Sequence, residues 1–186
     1  VQKFKECATA FDEQEELHQF VPQGDIPRGA ITTASSISGN DVFQHGFETW
    51  QDMFNDRQLY CLSTLLSAIN DIEDQTIQEY LLLAFSDSLM FQNTFAPYNV
   101  TGTKIEGIFR RNSYTPLVEY AENNVWGTRA GRGTFRNTWD KVIDGIEFAH
   151  EPVERYLDAG ELTKSEPFQK PIGGEYTLHQ DDVREM

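Results

Sequence analysis

The apolar residues of this chain recur at helical spacing in four stretches. Leucine and isoleucine at intervals of three and four residues predict an amphipathic helix over residues 56–70. A second stripe predicts a helix over 75–93, and the short acidic turn between the two favours an antiparallel helix hairpin. Similar stripes predict helices over 1–20 and 133–149. Residues 21–45 are rich in Pro, Gly, Ser and Thr, which predicts a long loop.

Short elements complete the predicted fold. The pattern favours one strand at Ile105–Phe109 and another at Glu175–Leu178. The segment PVERYLDAG, residues 152–160, predicts a short turn of helix that closes at Gly160. Helices therefore dominate, and we expect an α+β fold in which the helix hairpin is joined by a third long helix and a few short strands.

The length of the chain favours a single domain over residues 1–186. Within it we expect the core at 46–160 and a polar tail at 161–186. The first residues contain neither an initiating Met nor the apolar region of a signal peptide. We therefore expect a segment of a longer protein.

The start of the helix predicted at 56–70 carries a recognisable cap. The side chain of Asn55 can accept from the first helical amides, and Gln58, three residues on, can reach back to the amide of the cap residue. Phe54, just before the cap, can pack on Leu59 as a hydrophobic staple. These residues make this the best-defined helix start in the chain.

Acidic residues outnumber basic ones by two to one. The chain has 30 Asp and Glu against 15 Lys and Arg, and its net charge of -15 disfavours a protein whose whole surface binds nucleic acid or an anionic membrane. Only 6 of the 15 basic residues are Lys, and the carboxylates are spread along the sequence. We expect a halophilic, cytoplasmic protein from a salt-accumulating organism; an ordinary acidic mesophilic protein is the alternative.

The basic residues are concentrated in one segment. Residues 104–141 contain 7 of the 15 cations and 4 of the 30 acidic residues, for a net charge of +3. The segments on either side, 1–103 and 142–186, carry net charges of -11 and -7. The seven cations are Lys104, Arg110, Arg111, Arg129, Arg132, Arg136 and Lys141. A local anionic ligand is therefore compatible with the global charge.

Aromatic residues and glycines lie among these cations, which makes the segment a candidate phosphodiester-contacting loop. Arginine donates two parallel hydrogen bonds to phosphate, glycine permits close backbone approach, and aromatic rings stack on bases. The stretch NNVWGTRAGRGTFRNTW also leads into the start of a helix, a position that favours anions. The alternative is that the arginines pair with the surrounding carboxylates. The candidate nucleic-acid-binding residues are Lys104, Arg110, Arg111, Trp126, Arg129, Arg132, Phe135 and Arg136.

The other reactive residues predict no further site. Cys7 and Cys61 lie on apolar helical stripes, so we expect buried free thiols and neither metal ligands nor a disulfide. The 4 histidines stand far apart without a metal-binding spacing, and no P-loop or nucleophile-elbow motif occurs. The longest apolar run, LLLAF, is too short to cross a bilayer, so we expect no membrane partner.

Four short motifs follow one another along the middle of the chain. They are WQDMFNDRQL at Trp50–Leu59, LLLAFS at Leu81–Ser86, ENNVWG at Glu122–Gly127 and GRGTF at Gly131–Phe135. With the blocks around them, at 47–69, 81–99 and 104–149, they resemble the central part of the large prokaryotic adenine-specific DNA methylases. The resemblance covers roughly residues 40 to 150.

This resemblance implies an S-adenosylmethionine-dependent parent enzyme whose catalytic motifs lie outside the present chain. Such methylases hold S-adenosylmethionine on a glycine-rich loop after a strand. They bind a flipped adenine with an Asp/Asn-Pro-Pro-aromatic motif, whose ring stacks on the base. The present sequence has neither motif, and Ala96–Asn99 only echoes the second. The segment would lie between the two motifs, would bind no cofactor itself and would be inactive alone.

Two hypotheses follow. In the first, the chain is the inserted, largely helical domain of an adenine-N6 DNA methyltransferase, which contacts DNA and packs on the methyltransferase core of the same chain. In the second, it is a non-catalytic interaction or structural module that makes no contact with nucleic acid. Arg57 and Gln58 match the family's RQ pair; for Gln58 we prefer cap and surface chemistry at the helix start.

Melting curves in rising KCl test the halophilic expectation. Carboxylates spread along the chain repel one another, and salt at 1 M screens charges beyond roughly 3 Å. We therefore expect the melting temperature to rise from low to molar KCl. A melting temperature that stays flat or falls over this range would contradict the expectation.

Overall fold

A computed structural model of the chain describes residues 2–29, 32, 41–110, 113–114, 121–127 and 131–167. Helices dominate these residues, and the strands form small antiparallel pairs, so the predicted α+β class is confirmed. The α-helices are α1 (Gln2–Glu13), α2 (Asp56–Asn70), α3 (Gln75–Leu89) and α4 (Phe135–His150), and the 3₁₀ helices are Glu15–Phe20, Val42–His45 and Trp50–Met53. The strands are β1 (Tyr98–Asn99), β2 (Lys104–Ile105), β3 (Phe109–Arg110), β4 (Ser113–Tyr114), β5 (Arg155–Asp158) and β6 (Glu161–Lys164).

The helix hairpin of α2 and α3 has the predicted cap at its start. Asn55 Oδ1 accepts from the Gln58 amide at 3.0 Å, and Gln58 Oε1 accepts from the Asn55 amide at 3.0 Å. Gln58 is fully buried, so its capping role is confirmed but its predicted surface position is wrong. At the other end of α2, the side-chain amide of Gln78 on α3 donates to the carbonyl oxygen of Asn70 at 3.0 Å. This bond ties the two helices together beside their turn.

Two predicted helices end earlier than expected. The stripe predicted over 1–20 is α-helical only to Glu13 and continues as the 3₁₀ helix Glu15–Phe20, where the ring nitrogen Nε2 of His18 lies 3.0 Å from the carbonyl oxygen of Phe11. The helix predicted over 75–93 ends at Leu89. There the side chain of Asn93 donates to the Leu89 carbonyl at 2.8 Å and accepts from the Phe95 amide at 3.0 Å, which turns the chain inward.

The single strand predicted at Ile105–Phe109 is wrong. The chain instead contributes β2, which pairs with β1, and β3, which pairs with β4. Between them the Glu106 amide bonds the Pro97 carbonyl and the Ile108 amide bonds the Met90 carbonyl, so the backbone changes partner within three residues. The strand predicted at Glu175–Leu178 lies outside the described residues.

The helical turn predicted over 152–160 is also wrong, because β5 and β6 form a hairpin there. The two residues between the strands, Ala159 and Gly160, have φ values of 49° and 91°. Two consecutive positive φ values fit the tight turn that the twist of a β-hairpin favours. The described residues divide into two units, one ending at Val142 and one beginning at Ile143, and this hairpin belongs to the second.

Phe54 contacts all three buried clusters of the first unit. One cluster lies around Phe95 and Val42, a second between the helices around Phe85 and Phe135, and a third includes Phe11 and Leu59. The predicted packing of Phe54 beside Leu59 is therefore confirmed as part of a larger junction. The residue before the α2 cap connects the N-terminal helix to the rest of the unit.

Replacing Gly133 by Ala tests the close packing of the Gly133 backbone on Phe91, just after α3. Gly133 has a φ of 70°, and a Cβ there would overlap the side chain of Phe91. We expect Gly133→Ala to lower the free energy of unfolding by about 3 kcal/mol, through backbone strain and overpacking.

Gly145→Ala is the matched control, because Gly145 lies within α4 and a Cβ there would meet nothing within 4 Å. This variant should be stabilised by about 0.5–1 kcal/mol in urea unfolding. Equal stabilities for the two variants would contradict the packing at Gly133.

Candidate nucleic-acid interface

Arg57, in the first turn of α2, forms a bidentate ion pair with Glu122. The guanidinium donates from Nε to Oε1 and from Nη2 to Oε2, both at 2.7 Å, across 65 positions of sequence. The hydrogen bond and then the charge of Glu122 raise the pKa of Arg57. The sequence predicts neither partner for the other, although Arg57 lies in the RQL motif and Glu122 opens the ENNVWG motif.

Gln92, just beyond α3, connects the same motif to the start of α4. Its side chain is fully buried, and Nε2 donates to the carbonyl oxygens of Asn124, at 3.0 Å, and Gly133, at 2.8 Å. Asn123 adds a bond from Nδ2 to the Arg132 carbonyl at 2.8 Å. Residues 121–127 are thus bonded both to α2 and to the segment that leads into α4.

The first amides of α4 are not available to an anion, which corrects the expectation for this helix start. The Phe135 amide donates to the Val125 carbonyl at 2.9 Å, and the Arg136 amide donates to the Trp126 carbonyl at 3.0 Å. The Asn137 amide donates to Thr134 Oγ1 at 3.3 Å. Because these donors are already used, phosphate contact at this position depends on side chains.

The two candidate aromatic residues have different environments. Phe135 is 4% exposed and belongs to the buried cluster between the helices, so a base cannot reach its ring. Trp126 is 59% exposed, and its ring lies 5.7 Å from that of Phe135, between centroids. Arg136 is exposed and forms no ion pair within the described part of the chain. Trp126 and Arg136, joined through the backbone, are therefore the accessible aromatic and cationic candidates.

Lys104 and Arg132 share one carboxylate, as the alternative reading of the basic residues predicts. Glu106 Oε1 lies 3.3 Å from Lys104 Nζ, and Glu106 Oε2 lies 3.1 Å from Arg132 Nη1. The hydrogen bond from Asn99 is the main cause of the lowered pKa of Glu106, and both cations lower it further. The guanidinium of Arg132 also lies 5.6 Å from the centroid of the Phe91 ring. Both cations are thus held near the surface with part of their charge neutralised.

The structure tests the other cations of the segment only in part. Arg110 lies in β3, but its side chain is outside the described residues, as are Arg111 and Arg129 altogether. Lys141, on α4, pairs with Asp87 on α3 at 3.3 Å.

A cleft of about 740 Å³ separates α2 from residues 122–126. No local sequence pattern predicts this cleft, because its two walls come from distant parts of the chain. Tyr60 and Cys61 contribute from α2, while Asn124 and Trp126 contribute from the opposite side. Trp126 is therefore both a predicted candidate residue and a wall of this cleft.

Cys7 and Cys61 are free thiols, as predicted, but both are partly exposed and not fully buried. Burial raises the pKa of Cys61, and the nearby Cys7 raises it further. In the part of the chain that is described, no three His, Cys, Asp or Glu residues are placed to hold a metal ion. No helix of the described ranges has the length and apolar character to cross a membrane.

A double-mutant cycle of Arg57→Ala and Glu122→Ala tests the bidentate pair. The two side chains are 43% and 24% exposed, so we expect a coupling free energy of about 0.5–1 kcal/mol in urea unfolding. The same cycle on Lys141 and Asp87, a longer and single contact, should give a smaller coupling. Additive effects for Arg57 and Glu122, or equal coupling in both pairs, would contradict the role assigned to this pair.

Comparison of the chain with protein families, with curated proteins and with solved structures gave no significant match. The contacts of the described residues and the motifs of the sequence are therefore the basis for a proposed function.

Proposed function

We propose that this chain is a non-catalytic DNA-contacting domain of an adenine-specific DNA methyltransferase. It acts in the cytoplasm of a salt-accumulating organism, beside the methyltransferase core of the same protein. The face that contains Trp126 and Arg136 contacts DNA, and the α2–α3 hairpin is its rigid support.

The pairing of an exposed indole with an exposed arginine is the observation that carries this proposal. The Arg136 amide donates to the Trp126 carbonyl at 3.0 Å, so the two residues keep a fixed backbone spacing. Arginine binds phosphate oxygens through its planar fork, and an indole stacks on a base. Both lie in the segment whose net charge is +3 in a chain of net charge -15.

The contacts between the methylase-like motifs support the assignment to this enzyme class. Arg57 of the first block pairs with Glu122 of the third, and Gln92 of the second bonds two carbonyls of the third. Motifs that are scattered along the sequence thus occupy mutually supporting positions. Their contacts hold the framework together, which agrees with a domain that assists a reaction performed elsewhere.

The sequence contains neither of the motifs that bind S-adenosylmethionine and the target adenine in such methylases. The sequence lacks a glycine-rich loop between a strand and a helix, and it lacks the Pro-Pro-aromatic motif. The start of α4, the helix that follows the glycines, uses its first amides internally. Cofactor binding and methyl transfer are therefore assigned to the rest of the parent enzyme.

An apolar groove favours a second candidate function, that of an interaction module. This groove has a volume of about 750 Å³ and lies along α2, the end of α3 and the 3₁₀ helices Glu15–Phe20 and Trp50–Met53. The side chains that line it include Phe20, Trp50, Phe54, Leu66, Leu89 and Met90. Such a surface fits packing against another protein segment without any contact with nucleic acid.

Fluorescence anisotropy with a labelled DNA duplex, titrated in KCl, separates the two candidates. We expect the complete chain to bind and Arg136→Ala to reduce the slope of log K against log[KCl] by about 0.9, the loss of one phosphate contact.

Arg155→Ala is the matched control, since Arg155 is exposed on β5 and lies outside residues 104–141 in the sequence. This variant should keep the wild-type affinity and slope. Absence of binding at every salt concentration would contradict DNA contact and favour the interaction module. Equal slopes for all three proteins would contradict the phosphate contact assigned to Arg136.

A further inference from the structure

We propose that the cleft between α2 and residues 122–126 binds one unpaired nucleobase of a DNA strand. This inference rests on the proposed function, because the strand would be held outside the cleft by Arg136. It adds a base-binding site whose walls are given by this chain itself.

The cleft is large enough to admit a nucleobase. Its volume of about 740 Å³ lies within the range of ligand sites, roughly 300–1,000 Å³. One wall is the partly exposed side of α2 around Tyr60 and Cys61, and the other is the segment that ends at Trp126. Because Gln92 and Arg57 fix that segment, the cleft is formed before any ligand arrives.

Trp126 supplies the stacking surface. Its ring is supported by Phe135, 5.7 Å away between centroids, and the side chain remains 59% exposed. The buried Phe135 restricts the indole without covering it fully. Stacking of a base on an aromatic side chain contributes about 1–3 kcal/mol and tolerates any base.

The charges of the cleft favour a neutral ligand. Both oxygens of Glu122 accept from the Arg57 guanidinium at 2.7 Å, so the cation and the anion in the wall neutralise each other. Burial raises the pKa of the Cys61 thiol, which keeps this group neutral as well. Among the described residues that line the cleft, the one cation is Arg57, and it is already paired with Glu122. A neutral base therefore suits these walls better than a phosphate.

The polar groups of the cleft match the edge of a base. Asn124 Oδ1 accepts from the Gly127 amide, while its Nδ2 donates no hydrogen bond within the described ranges. The hydroxyl of Tyr60 likewise donates no hydrogen bond within the described part of the chain. An amide nitrogen and a phenol are suitable donors for the ring nitrogens and carbonyl oxygens of nucleobases.

Three DNA duplexes test the inference: one with a single bulged adenine, one with an abasic residue at the bulge, and one fully paired. The complete chain should bind the bulged-adenine duplex about tenfold more tightly than the abasic one, within the range of one stacking interaction. Trp126→Ala should bind the bulged-adenine and abasic duplexes with equal affinity. Phe148→Ala changes another exposed aromatic residue and should preserve it.

The variants separate the two proposals. Arg136→Ala should weaken binding of all three duplexes and leave the adenine-to-abasic ratio unchanged. Equal affinity of the wild type for the bulged and abasic duplexes would overturn the nucleobase site while DNA contact stands. Failure of the wild type to bind any duplex would overturn both proposals.

Alkylation of Cys61 gives a second measurement that needs no cleft substitution. In a Cys7→Ala background, Cys61 is the remaining thiol of the chain and lies in the cleft wall. The bulged-adenine duplex should slow its reaction with N-ethylmaleimide severalfold, and the abasic duplex should not. Equal alkylation rates with the two duplexes would overturn the site.

Discussion

The buried amide of Gln92 is the constraint on which the proposed interface depends. Its Nε2 satisfies two carbonyls, those of Asn124 and Gly133, that are brought together from separate segments. The bond to Gly133 is buried and the bond to Asn124 is partly buried. A buried carbonyl left without a donor costs about 1–3 kcal/mol, so these bonds hold residues 121–127 against the start of α4. The backbone bonds from Phe135 and Arg136 then follow from that position. The buried amide of Gln92 thus positions the backbone that carries the exposed Trp126 indole and Arg136 guanidinium.

The observed contacts also change the interpretation of the basic segment at residues 104–141. A net charge of +3 over residues 104–141 suggests a surface of free cations. Instead, Glu106 holds Lys104 and Arg132, and the first amides of α4 are used inside the protein. Among the described candidates, DNA recognition would depend on the geometry of Arg136 and on stacking more than on bulk attraction. Such a mode suits molar salt, in which counterion release drives binding weakly.

Local sequence patterns predict much of this fold, but they do not predict contacts between residues that are far apart in the sequence. Spacing and the Asn55–Gln58 cap predict α2 with its observed bounds. The same spacing places Phe135 on the apolar stripe of α4, which already favours burial over base stacking. The Arg57–Glu122 pair spans 65 positions, and no local pattern encodes it. The β5–β6 hairpin depends on a positive φ at Ala159, a conformation that alanine rarely adopts and that periodicity does not reveal.

The central claim is that Gln92 holds residues 121–127, the interface segment, on the start of α4, and amide hydrogen exchange tests it most directly. In the wild type, the amides of Phe135 and Arg136 should be protected to a degree comparable with the middle of α2, because both donate to carbonyls of the interface segment. In Gln92→Met, which keeps the side-chain volume, their protection should fall at least tenfold while that of α2 persists. Rapid exchange of both amides in the wild type, or unchanged protection in the variant, would contradict the account.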